Sequence, residues 1–408
     1  MQRNYFIIGL VIFTFAAISF STNMIAPLEV PIVKSFRLKG FEAGLLPLCF
    51  FIAYLFSIPY AIMLEKWKEK KSMLIAFSFA GLGALLFALS PSYGLALPSF
   101  FMIGVGMALL QVVINPLLRV AGGEENFVFW SVVAQIIFGG IAAFTATTSE
   151  VVASWVKSGE SFFPADIHLP WVGNYWIIAS LLLTLALIMF FIKLPKVELK
   201  EDEKAGGASV YKTLFSDKKI WVFFFAIFAY VGTEQGVGIK IKDFLMQYHQ
   251  MSEAQGDTVL FWYWMLLTLG CLLGMILVKL MDSKILLRLF VILAMVSLSF
   301  ALFGSADVSY YAFMMVGFFL SVMWSISFAL GLNSFAANHG AIAGILCTGV
   351  IGGAISPFII GALKDLIGLQ FSMCFNFLLL GYILWVSFWA KPLVNNQVIS
   401  ITKLFEKK

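Results

Sequence analysis

Twelve transmembrane helices in two six-helix halves, an all-α membrane protein, are what this sequence predicts. Three observations carry the reading. The 408-residue chain is 61% hydrophobic and only 12% charged, with a mean hydropathy of +0.95, whereas soluble domains average roughly 45–50% apolar and about 25% charged residues. Apolar runs long enough to span a bilayer recur twelve times. The second six runs repeat features of the first six at a constant offset.

A span needs about 20 apolar residues to cross ~30 Å of hydrocarbon. Such runs lie near 5–28, 42–64, 72–91, 96–120, 127–150 and 173–194, then near 220–246, 257–279, 285–304, 309–332, 341–363 and 371–390. Between the two sets sits the long charged stretch KLPKVELKEDEKAGGASVYKTLFSDKK, 193–219. The expected organisation is a first bundle over 1–194, a cytoplasmic linker over 195–219, a second bundle over 220–391 and a cytoplasmic tail over 392–408. MQRN leads into an apolar run without a cleavage pattern, so the first span reads as a retained signal-anchor. Lysine and arginine placement gives the orientation. With the N-terminus inside, 20 basic residues fall on the inner side against five on the outer side, with Lys240 and Lys242 inside a span. Both termini are therefore expected in the cytoplasm.

The internal repeat is 213 residues long. It carries Lys66 onto Lys279, Lys71 onto Lys284, Gly104 onto Gly317 and Gly139-Gly140 onto Gly352-Gly353, without a gap. Two parallel six-helix repeats joined by a cytoplasmic linker resemble the plan of the major facilitator superfamily, in which a substrate site near the midplane opens alternately to either side. A twelve-helix channel or membrane enzyme is the competing architecture. Gly-rich runs such as IFGGIAAF and GVIGGAISPFIIGAL suit helices that slide past each other, and suit plain close packing equally.

Several function classes are disfavoured. The formal charge of +5 is scattered over short loops, so no nucleic-acid partner is expected. Cys49, Cys271, Cys347 and Cys374 all fall in apolar runs without C-x-x-C spacing and read as buried small hydrophobes. His168, His249 and His339 sit at span ends or in loops, and no nucleophile–base or metal-ligand spacing accompanies them. No nucleotide-binding loop is present. An enzyme, a cofactor and a metal site are thus not expected. A membrane receptor remains the alternative of a different class, and the short tails argue against its signalling domain.

Polar residues inside spans are costly unless partnered or wet, so they point to function. The first half offers Asn23 in span 1, Gln111 and Asn115 in span 4 and Gln135 in span 5. At ~1.5 Å rise per residue, Gln111 and Gln135 lie at similar depths. Amides donate and accept, which suits sugar hydroxyls. Interhelical glue is the competing reading for each. Trp324 stands 213 residues after Gln111 and is placed to face the same cavity from the other half, as a flat surface for a pyranose. Trp130 and the WYW of 262–264 are weaker candidates, better suited to lipid or the interface.

Span 7 contains FAYVGTEQGVGIKIKDFL, with Glu234, Lys240, Lys242 and Asp243. Glu234 lies deep in the span and can carry a proton. Lys240 and Lys242 are two residues apart, roughly 200° around a helix, so both cannot face one cavity. They read mainly as rim residues with snorkelling stems, Lys240 pairing with Asp243. The competing reading gives them to an anionic sugar. EKWKEKK between spans 2 and 3 reads as a cytoplasmic gate and topology signal.

The runs GVGMALLQVVINPLLRVAG, AQIIFGGIAA, YVGTEQGVG and FLSVMWSISFALGLNSFAANHG, with FRLKGFEAGLLPLCFFIAYLF in span 2, resemble the fucose–galactose–glucose/proton symporter family, the fucose permease group. The resemblance covers most of the chain in consistent order. It implies a major facilitator fold and monosaccharide transport, and it matches Glu234 to the acid of the family's span 7. It also shows departures. Gln111 stands where the family commonly has an acid in span 4, and Ala26 where an acid closes its Asn-rich span 1, with Asn23 on one of those Asn positions. In that group those two acids are associated with proton coupling and sugar binding, so their loss puts coupling through the first half in question. Ser325 replaces a frequent Pro and Cys271 a frequent Arg. Glu29, past Pro27, reads as an interfacial acid.

The expected function is a secondary active sugar permease of the bacterial inner membrane. It imports a hexose or related monosaccharide by alternating access, coupled to a proton or sodium ion with Glu234 as carrier. The expected partners are the sugar, the ion and the lipid bilayer, and the chain is expected to be monomeric. The alternatives are an anionic sugar acid or other organic anion as substrate, or uncoupled uniport.

Overall fold

The structure, a computed structural model, describes residues 5–122, 127–158, 169–192 and 208–393. The expected linker residues 195–207 and tail residues 394–408 lie outside the described residues. So do the side chains of Lys66, Asn115 and Arg119.

Twelve helical spans are long and apolar enough to cross a membrane: Tyr5–Phe36, Gly40–Tyr60, Trp67–Leu89, Tyr93–Ile114, Val133–Ser158 and Pro170–Phe191 in the first half, then Lys218–Gly238, Glu253–Leu280, Ser283–Phe303, Ala306–Leu332, His339–Ile367 and Leu369–Trp389 in the second. They are numbered spans 1 to 12 below. No strand occurs among the described residues. Large apolar side chains such as Phe190, Phe191, Leu366, Phe371 and Phe388 stay exposed on the outside of the bundle, where lipid tails solvate them without cost.

The halves repeat each other in packing as well as in sequence. Span 1 packs on spans 4 and 5, span 2 on span 4 and span 3 on spans 4 and 6; spans 7, 8 and 9 make the corresponding contacts with spans 10, 11 and 12. A Cβ at Gly104 would collide with the carbonyl oxygen of Phe50, and one at Gly317 with that of Tyr263. These glycines let two backbones touch. Both members of the contact obey the 213-residue offset. Between the halves, span 2 packs against span 11 and span 5 against span 8.

Six spans are interrupted among the described residues, span 2 by a 3-10 turn at Ile52–Phe56 and span 12 by a turn at Cys374. Span 1 is helical over Tyr5–Asn23 and again over Ile25–Phe36. Pro27 has no N–H to bond the carbonyl of Asn23, so a turn at Met24 relieves the helix there. The helix then continues to Phe36, eight residues beyond the expected end, and Glu29 lies buried inside the span rather than at an interface. Span 7 stops at Gly238 and restarts as Ile241–His249, with Lys240 at the break. Span 10 divides into Ala306–Leu320 and Met323–Leu332. Span 11 passes through a 3-10 turn at Gly349–Ile351. Spans 6 and 7 end and begin at the same end of the bundle, called the linker end here. The opposite end, holding Glu29, Gly40, Lys240 and Asp365, is the distal end.

Candidate functional site

Glu234 is buried in the last turns of span 7 and belongs to no ion pair among the described residues. Tyr230, one turn earlier on the same face, donates its hydroxyl to Glu234 Oε1 at 2.6 Å. The Gln235 amide stands 3.5 Å from Oε2, at the outer limit of a hydrogen bond. Tyr263 of span 8 donates to the Glu234 backbone carbonyl at 2.9 Å, which fixes the helix end beneath the carboxylate.

The break in span 10 positions the aromatic wall. Met323–Leu332 begins just before Trp324, and Cys271 Sγ donates to the Ser321 carbonyl freed at the break, at 3.3 Å. The Trp324 ring lies 5.9 Å from that of Tyr230 and stacks on Phe328 at 5.7 Å with a 19° tilt. The indole is therefore held on one side while remaining half-buried, and it adjoins the group that donates to Glu234.

From the first half, Gln111 Nε2 donates to the Tyr54 hydroxyl at 3.1 Å. Tyr54 sits in a 3-10 segment, Ile52–Phe56, that follows the first part of span 2, and its ring is 6.0 Å from Phe51. Across the seam, a Cβ on Gly353 would lie 3.2 Å from both Phe51 Cε1 and Gln235 Cγ. Glycine at 353 thus lets Phe51 of the first half and Gln235 of the second both approach one point of the seam. The result is a polar and aromatic line, Gln111–Tyr54–Phe51, then across Gly353 to Gln235–Glu234–Tyr230–Trp324, running from span 4 to span 10 through the seam.

Asn23 and Gln135 lie apart from this line. Asn23 donates back to Ser19 O and Oγ at 3.0 and 3.2 Å, and Ser19 Oγ donates to the Phe138 carbonyl of span 5 at 2.5 Å. Its Oδ1 is buried with no hydrogen-bond partner. Gln135, half-buried one turn from Phe138, finds no hydrogen-bond partner among the described residues. Asn115 falls on the helix Tyr93–Gly122, and its side chain lies outside the described residues.

The two lysines of span 7 are not rim residues. Lys240 pairs with Glu29 of span 1 rather than with Asp243, and both members of that pair are buried. Lys242 is clamped by both oxygens of Asp257 at 2.9 Å. Asp243 pairs instead with Lys364, at 2.5 Å. The break at Ile239–Lys240 is the cause: it turns Lys240 toward span 1 and Lys242 toward span 8, so stems that a continuous helix would send to the rim are drawn inward.

A family model described as Major Facilitator Superfamily matches residues 11–357. The chain belongs to the Major Facilitator Superfamily. It is accordingly a multi-pass membrane transporter and not an enzyme. Its curated relatives include a glucose/galactose transporter of Brucella abortus biovar 1 (strain 9-941), 26% identical over 94% of this chain and 93% of that protein. A putative glucose/galactose transporter of Helicobacter pylori (strain ATCC 700392 / 26695) is 28% identical, covering 81% of this chain and 82% of the other. Among solved structures, the fucose:proton symporter FucP in the outward conformation superposes with a TM-score of 0.68 at 20% identity, covering 94% of this chain and 98% of that one. A bacterial homologue of the human lysosomal transporter Spinster, inward-facing and occupied, gives a TM-score of 0.75 at 13% identity over 94% and 96%.

In this Major Facilitator chain the residues that sequence reasoning passed over are Tyr54, Phe51, Tyr230 and Gln235. Tyr230 had a local signal, standing four residues before Glu234 on one helix face. Tyr54 and Phe51 had none, because only the tertiary packing of spans 2 and 11 selects them.

Proposed function

We propose that this chain is a secondary active sugar permease of the bacterial inner membrane, importing a monosaccharide of the hexose class by alternating access. The observation that carries the reading is the line from Gln111 to Trp324, which crosses the seam between the halves. It combines amide donors and acceptors, a half-buried indole and a carboxylate that a proton can neutralise. Amides and the carboxylate suit sugar hydroxyls, and the indole suits the apolar face of a pyranose. The names of the relatives, glucose/galactose transporters and a fucose:proton symporter, agree with that chemistry. A neutral sugar is favoured over an acidic one because Lys240 and Lys242 are each already satisfied by a carboxylate.

The division into a first bundle over 1–194 and a second over 220–391, with both termini cytoplasmic, belongs to the same proposal and makes the distal end the outer one. The distal contacts then correspond to an inward-facing state. Glu234 is the proposed ion carrier, with a proton as the ion.

Uptake into proteoliposomes tests the reading. Radiolabelled neutral and acidic sugars are offered with and without an imposed proton or sodium gradient, to the wild type and to Glu234→Gln. A neutral hexose that accumulates only under a proton gradient, and merely equilibrates in the variant, is the expected outcome. Equilibration without any gradient in both proteins would make the chain a uniporter, and uptake of acidic sugars alone would move the substrate class to anions.

A further inference from the structure

The distal end of the seam closes on charge. Glu29 Oε1 of span 1 bonds the Lys240 ammonium across the halves, and the two side chains are only 5% and 2% exposed. The other carboxylate oxygen, Oε2, is buried with no hydrogen-bond partner. Around the pair the contacts are also polar. The backbone N–H groups of Gly40 and Phe41 donate to Asp365 of the second half at 3.2 and 3.1 Å, and Lys242 Nζ reaches the Pro27 carbonyl at 3.5 Å. Two ion pairs join the halves among the described residues. Lys34–Glu253 at 3.8 Å is exposed, so Glu29–Lys240 is the one withdrawn from water. Beside it opens a distal cavity of about 400 Å³, which Glu29 and Lys240 line together with Lys34, Lys39 and Lys364. Water in that cavity receives both charges as soon as they part.

We propose that Glu29 and Lys240 are the gating pair of this transporter: their bond exists only while the halves meet at the distal end, and it sets how readily they separate there. The proposal rests on the alternating-access reading above. Its physical core is an asymmetry. Removing one partner leaves a lone charge buried in the closed state and disfavours that state strongly, whereas replacing both by apolar residues of similar volume is neutral or stabilising. An ordinary packing contact behaves otherwise, since losing both partners costs at least as much as losing one. Single and double variants of a gating charge pair therefore shift the conformational equilibrium in opposite directions, or the double leaves it unmoved.

The test reads the distal separation directly and needs no sugar. Spin labels are attached at Lys39→Cys and Gln247→Cys, exposed positions on opposite halves of the distal mouth, in a background with Cys49, Cys271, Cys347 and Cys374 replaced by alanine. Pulsed dipolar spectroscopy in nanodiscs gives the ratio of long to short separations. Glu29→Gln and Lys240→Met are each expected to raise that ratio on the order of tenfold or more. The double variant Glu29→Leu/Lys240→Met is expected at or below the wild-type ratio, and the swap Glu29→Lys/Lys240→Glu close to it. Singles that leave the ratio unchanged would overturn the proposal, as would a double apolar variant that opens the distal end like the singles. Should a single variant fail to elute as a monodisperse protein, the double and the swap still decide. A wild type that takes up no sugar while its separations respond as described would sink the sugar reading and leave the gating pair standing.

Discussion

Glu234 is unusual in how it is held. A carboxylate in a membrane span ordinarily meets a cation, but the partner here is the neutral hydroxyl of Tyr230 at 2.6 Å. A neutral donor stabilises the charged form less than a cation does, and it remains a partner when the carboxyl is protonated. That suits a group that changes protonation in each cycle. Tyr230→Phe removes the donor, a hydrogen bond to a charged group typically contributing about 1.5–3 kcal/mol. The expected outcome is weaker gradient-driven accumulation of sugar, with exchange of sugar down its gradient retained, as uptake into proteoliposomes with and without a proton gradient would read. Trp324→Ala is expected to raise KM on the order of tenfold by deleting the stacking surface, worth about 0.5–1.5 kcal/mol beyond its area. Trp324→Phe is expected to keep most of the affinity, and initial-rate uptake over a range of sugar concentrations separates the two.

At the scale of the helix, glycine contacts and helix breaks do most of the positioning. Gly104→Ala and Gly317→Ala each force a methyl group into a neighbouring backbone carbonyl, and overpacking of that kind costs about 1–3 kcal/mol. Each single variant is expected to lower the thermal midpoint in detergent, and because the two sites lie in different halves their effects are expected to add. The helices themselves were legible in the sequence, since length and apolarity alone define a span. The breaks were only partly so. Pro27 signals the one in span 1, whereas span 7 breaks after Gly236 and Gly238 with no proline to mark it. Without that turn the sequence reads Lys240 and Lys242 as rim residues. The candidate site was legible to the same degree: Glu234, Gln111 and Trp324 stand out as polar or bulky groups inside apolar spans. Phe51 and Tyr54 do not, because in a chain with 43 Phe and 12 Tyr nothing local tells which rings face the seam.

For the whole molecule, the distal contacts and the line from Gln111 to Trp324 describe two halves that meet at the distal end and both contribute to the candidate site. The orientation proposed from the lysine and arginine bias makes a simple expectation. A pH-sensitive fluorescent protein fused after Lys408 should respond to cytoplasmic pH in intact cells and ignore the medium. Response to the medium would overturn the proposed topology and make the distal end the inner one.

The glycine contact that each half makes on its own offset, Gly104 on Phe50 and Gly317 on Tyr263, has an implication for how the chain can be cut. Since neither contact borrows a residue from the other half, the lock that assembles each bundle is complete within a single six-span fragment. Co-expressed as two separate polypeptides, residues 1–194 and 208–408 are expected to find one another in the bilayer and reconstitute uptake, and affinity capture of one fragment should bring down the other. The chain would then read as a covalent dimer, its two protomers tethered by a stretch of sequence that keeps them at matched copy number.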